Sequence, residues 1–134
     1  MMGTCTTMHW TRRHRVLRIA WLLLLGCVVA GSLVPSGSAA KRAMDALRVS
    51  DKLWHFLAYF VLMLLPALYE RRLATALHAV GLASLSILLE FGQRLYSGRS
   101  FDSGDVAANV AGVLSALAAA TAVLRLKLIQ TKGA

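Results

Sequence analysis

Val106-Ala-Ala-Asn-Val-Ala-Gly-Val-Leu-Ser-Ala-Leu-Ala-Ala-Ala-Thr-Ala-Val-Leu124 contains no charged residue and is long enough to cross a bilayer. A transmembrane helix needs about 20 mostly apolar residues. Basic residues follow at once, with Arg125 and Lys127 where an interfacial anchor belongs. Three more apolar runs precede it: Val16–Val34, Leu53–Tyr69 and Leu73–Glu90. None shows the alternation of a barrel strand, and backbone groups in lipid must bond within their own segment. The sequence therefore predicts an all-α, polytopic membrane protein: a bundle of about four transmembrane helices with short loops.

Composition agrees. The chain is 57% hydrophobic with a mean hydropathy of +0.61, whereas a soluble domain is about half apolar. The net charge of +9 does not point to nucleic acid, because the Lys and Arg residues bracket apolar runs instead of forming a basic face. Anchoring at an anionic lipid surface explains them, so the lipid bilayer is the expected partner. Cys5 and Cys27 lie in unlike surroundings, and no disulfide or zinc spacing is read from them.

Residues 1–15 read as a basic tail, 16–125 as the membrane domain and 126–134 as a second basic tail. Pro35, Ser36, Gly37 and Ser38 break the first run, and Pro66 should kink the second. Residues 91–105 read as a polar loop. Four spans put Arg12, Arg13, Arg15, Arg18, Arg71, Arg72, Arg125, Lys127 and Lys132 on one side. Lys41, Arg42, Arg48, Lys52, Arg94 and Arg99 fall on the other. The excess predicts a cell-membrane protein with both termini cytoplasmic. The first run also has the layout of a cleavable signal peptide, with small residues at Ser38, Ala39 and Ala40; retention is favoured.

With only six carboxylates in the chain, their placement is informative, since charge near hydrocarbon is costly. Asp51, Lys52, His55 and Tyr59 open the second span. Glu90, Gln93 and Arg94 close the third. Arg99, Asp102, Asp105 and Asn109 lead into the fourth. All would meet at one surface. Several have a structural reading beside the functional one. Ser50 and Asp51 suit a helix start. Glu90 and Arg94 could neutralise each other at i,i+4. Asp102 and Asp105 have N-cap and N3 spacing. Asp51, His55 and Tyr59 share a helical face, so Asp51 could orient the imidazole. Asn109 reads as interhelical glue, and Ala108, Gly112 and Ala116 as a small-residue face for close helix approach. His78 reads as structural.

The ordered set Asp51-Lys52-x-x-His55-Phe56-x-x-Tyr59, Glu90-x-x-Gln93 and Arg99-x-x-Asp102-x-x-Asp105-x-x-x-Asn109-x-x-Gly112 resembles the VanZ-like family of small membrane proteins. Pro35 after the first span fits as well. Ala116 stands where the family's last helix carries a second glycine. The resemblance covers about residues 16–125. It implies a multi-span protein of the cell envelope and a link to resistance against teicoplanin, a glycopeptide acting on cell-wall precursors. It implies no established reaction. The expected ligand is therefore lipid-linked or at the surface, either a cell-wall precursor or a glycopeptide.

Three functions follow as expectations. The first is a non-enzymatic binding protein, which requires the least chemistry. The second is an enzyme acting on a lipid head group or cell-wall precursor, with Asp51–His55 and Glu90 as acid–base groups. The third is a small proton-coupled transporter, which requires assembly into an oligomer. No cofactor motif, metal spacing or nucleophile elbow is present in the sequence, and binding is favoured over catalysis.

Overall fold

The computed structural model describes residues 5–35, 37–47, 49–96 and 100–132, leaving aside the side chains of residues 5–13, 44, 45, 96 and 132. Arg99 lies outside the described residues. Five helices follow in order: α1 (Cys5–Ser32), α2 (Ala39–Ala46), α3 (Asp51–Tyr69), α4 (Arg72–Tyr96) and α5 (Ser103–Lys132). No strand occurs among the described residues. The fold is an all-α bundle, and α1, α3, α4 and α5 are each long and apolar enough to cross a membrane.

Leu23, Leu73, Leu88 and Leu114 are each more than half exposed. In water such a surface would be a large apolar liability. In lipid it is the expected outside of a bundle, because hydrocarbon is as apolar as Leu. The interior is correspondingly small. Tyr59, Leu62, Met63 and Ala67 of α3 meet Leu82 of α4 and Val113, Ala116 and Ala120 of α5.

The most extensive helix–helix contact among the described residues is that of α3 with α5, and Gly112 permits it. A Cβ at Gly112 would run into the Phe56 carbonyl oxygen and lie 3.0 Å from the Phe60 nitrogen. Ala116 and Ala120 continue the same buried stripe, while Ala108 is half-buried. Small residues let the backbones approach where lipid supplies no hydrophobic drive.

α1 lies at the periphery, with Trp21, Leu24, Leu25 and Val28 packed against the core. A partly buried hydrogen bond helps to dock it. Pro66 has no N–H to give the carbonyl four residues earlier, and that carbonyl belongs to Leu62. The Trp21 indole donates to Leu62 O at 2.7 Å. A neighbouring helix thus satisfies the group that proline frees, the condition for tolerating proline inside a membrane helix.

The helix ends differ from the apolar runs. α1 begins at Cys5, inside the segment read as a tail. α4 continues through Tyr96, so residues 91–96 are helical and not loop. α5 begins at Ser103. Hydropathy marks where a helix is greasy, not where its hydrogen bonds stop. α2 was not expected from hydropathy at all. It follows a turn closed by Ser38 N–H donating to Pro35 O. In that turn Gly37 takes φ +84°, a conformation that side chains disfavour. Ser38 Oγ then caps α2 by accepting from Lys41 N–H at 3.1 Å.

Candidate functional site

Ser50 caps α3, its Oγ accepting from Leu53 N–H at 3.2 Å, and Asp51 sits in the favoured first turn. Asp51 accepts from Lys41 Nζ of α2 at 2.7 Å. It does not orient His55, the role its position on the same face allows. Both imidazole nitrogens face α5 instead. His55 Nδ1 donates to Asn109 Oδ1 at 3.1 Å, and Nε2 lies 3.5 Å from Asp105 Oδ2. The reason is burial: Asp105 and Asn109 are each 2% exposed, and such groups require polar partners inside the bundle.

The start of α5 is a cap shared between helices. Asp102 Oδ1 accepts from Gly104 N–H at 2.7 Å, and Asp102 O accepts from Asp105 N–H, as an N-cap does. In a capping box the N3 side chain returns the bond to the cap N–H. Here Glu90 of α4 takes that part, accepting from Asp102 N–H at 2.8 Å. Glu90 is buried at 2% exposure, whereas Arg94 is exposed. The expected Glu90–Arg94 pair does not form among the described residues, because the carboxylate turns into the bundle and the guanidinium stays solvated.

With its capping role taken by Glu90, Asp105 is positioned for Lys52. Lys52 Nζ reaches Asp102 Oδ2 at 2.8 Å and Asp105 Oδ1 at 3.3 Å. Gly104 makes room, since a Cβ there would crowd Lys52 Nζ. The Lys52 ammonium, and next the Gly104 N–H, hold the Asp102 carboxyl below its ordinary pKa. Phe101 packs on Phe91 with ring centroids 5.3 Å apart, pinning the connection to α4.

Lys52, His55, Glu90, Asp102, Asp105 and Asn109 therefore form one network across α3, α4 and α5. Their groups are largely committed to each other. Tyr59 and Gln93, each 1% exposed, lie on the other side of His55. There a cleft of about 220 Å³ opens between α1, α2, α3 and α4, lined by Lys41, Asp51, Trp54, His55, Tyr59 and Gln93 together with Val28 and Val34. Trp54 Nε1 and Tyr59 OH are buried with no hydrogen-bond partner among the described residues. Such groups are costly to leave unmade.

Trp54 and Lys41 were not singled out from the sequence. Trp54 shares the first turn of α3 with Lys52, a position that could have flagged it. Lys41 could be found only by recognising α2 as an amphipathic helix. Among the described residues no cluster of three His, Cys, Asp or Glu side chains has metal-holding geometry. Comparison with family models, curated proteins and solved structures gives no match.

Proposed function

We propose that this is a VanZ-like membrane protein of the cell envelope. Its termini lie on the cytoplasmic side, and its networked end faces outward. There the cleft beside His55 binds a lipid-linked cell-wall precursor or a glycopeptide such as teicoplanin, which links the protein to glycopeptide resistance. The observation that carries the binding reading is that two buried groups of residues lining one cleft, Trp54 Nε1 and Tyr59 OH, have no partner among the described residues. An indole N–H can only donate, so the ligand brings acceptor oxygens, as phosphoryl, carbonyl and sugar groups do. The network behind the cleft fixes its wall. His55 has both ring nitrogens engaged and Glu90 holds a cap, an arrangement that supports scaffolding over acid–base turnover.

Ligand-dependent stabilisation of the purified protein tests the reading. Teicoplanin and a polyprenyl-pyrophosphate-linked precursor are titrated separately. A binder at ~100 times its Kd raises stability by about 2.7 kcal/mol. One of the two should stabilise wild type and not the Trp54→Phe, Tyr59→Phe double variant. Stabilisation by neither, or equal stabilisation of both proteins, counts against the site.

A further inference from the structure

A second cleft of about 330 Å³ lies at the opposite end of the bundle, between α1, the end of α3 and the start of α4. It is lined by the apolar side chains Leu17, Leu22, Leu65 and Ala74 and by the rings of His14, Trp21 and His78. The Trp21 and His78 rings are both held by hydrogen bonds. Trp21 is bonded to Leu62 O, and His78 Nδ1 donates to Ala74 O at 2.7 Å. The two rings meet edge to face at 5.0 Å. The lining also holds the Arg18–Glu70 ion pair, at 3.2 Å.

The pair is asymmetric in a useful way. Arg18 Nε and Nη2 both donate to the same oxygen, Glu70 Oε1. Arg18 Nη1 and Glu70 Oε2 have no hydrogen-bond partner among the described residues. The Arg18 side chain is 70% exposed and that of Glu70 18%. A cationic donor and an anionic acceptor thus stand side by side at a membrane surface, next to an apolar groove.

We infer that this cleft is a site for a zwitterionic phospholipid with a primary ammonium head group. The phosphate accepts from Arg18 Nη1, the ammonium donates to Glu70 Oε2, and the chain-bearing glycerol lies on Leu17, Leu22 and Ala74. A two-carbon bridge joins phosphate and ammonium in phosphoethanolamine, so one head group carries a partner for each member of the ion pair. A purely anionic head group leaves Glu70 facing a second negative charge. A trimethylated ammonium has no N–H to give Oε2. The nearby exposed Arg71 and Arg72 favour anionic lipid without discrimination, so head-group preference separates the two ideas.

The test is native mass spectrometry of the full chain from detergent, titrated with phosphatidylethanolamine, phosphatidylglycerol and phosphatidylcholine of identical chains. The ethanolamine lipid should bind at least about threefold more tightly than either other, the scale of an exposed ion pair. Glu70→Gln should erase its advantage over phosphatidylcholine, and Arg18→Gln should weaken all three. Ala74→Leu, which fills the groove and leaves the ion pair intact, should also weaken binding. Equal binding of ethanolamine and choline lipids, or preference for phosphatidylglycerol, overturns the assignment, as does wild-type binding by Ala74→Leu. Since this site lies at the other end of the bundle, its failure leaves the cleft beside His55 untouched.

Discussion

Replacing Trp21 with Phe should cost the fold about 1–2 kcal/mol, and the cost should depend on Pro66. The Trp21 indole supplies the only side-chain donor to Leu62 O among the described residues, at 2.7 Å, and Leu62 is fully buried. Removing it strands a carbonyl in hydrocarbon. Unsatisfied buried groups cost about 1–3 kcal/mol, while measured interhelical hydrogen bonds in membranes run nearer 0.6–2 kcal/mol. In a Pro66→Ala background the alanine N–H can serve Leu62 O from within α3, so Trp21→Phe should then cost only its lost packing. That packing loss is common to both backgrounds and cancels in the cycle. The assay is equilibrium unfolding in mixed micelles of wild type, both single variants and the double. A coupling energy of roughly 0.5 kcal/mol or more supports the account. Strict additivity would mean that the carbonyl freed by Pro66 does not dock α1.

Glu90→Ala should destabilise the start of α5 by about 1–3 kcal/mol by stranding Asp102 N–H, while Glu90→Gln, which keeps an acceptor, should retain most of the protection; amide exchange at Asp102 reads this. Gly112→Ala should cost about 1–3 kcal/mol because the new methyl meets the Phe56 carbonyl, measurable by the same unfolding assay. The Asp102 carboxyl, held low chiefly by Lys52, contributes stability that is complete above the ordinary carboxylate pKa. That contribution is lost as pH falls through its lower folded-state pKa. Asp102→Asn should flatten this acid arm of the unfolding profile, and an unchanged arm would contradict the assignment. Ser100→Cys should react with an impermeant thiol reagent from outside intact cells; labelling only from the cytoplasm would reverse the proposed orientation.

The four long helices were legible because lipid imposes one rule, that every backbone bond be made within the segment. Their ends were not. Phe91–Tyr96 carries Gln93 and Arg94, and polarity alone reads as loop, yet Gln93 turns into the bundle at 1% exposure. The polar residues of the network were all visible as a set, but their pairing was not. His55 shares a face with Asp51 on α3 and still pairs with Asn109 and Asp105 of α5. The choice is made by Gly112, which brings α5 against α3. Likewise Glu90 had an obvious partner four residues on, and its cap of Asp102 depends on how the chain returns after Tyr96. Short-range spacing proposes pairs, and packing between helices decides among them.

The cleft beside His55 is proposed to bind an outer-surface ligand through Trp54 and Tyr59. The most direct measurement is glycopeptide susceptibility of a deletion strain complemented with the Trp54→Phe, Tyr59→Phe double variant at wild-type membrane levels. Teicoplanin susceptibility should equal that of the uncomplemented deletion. Full restoration to the wild-type level by the double variant would contradict binding through Trp54 and Tyr59.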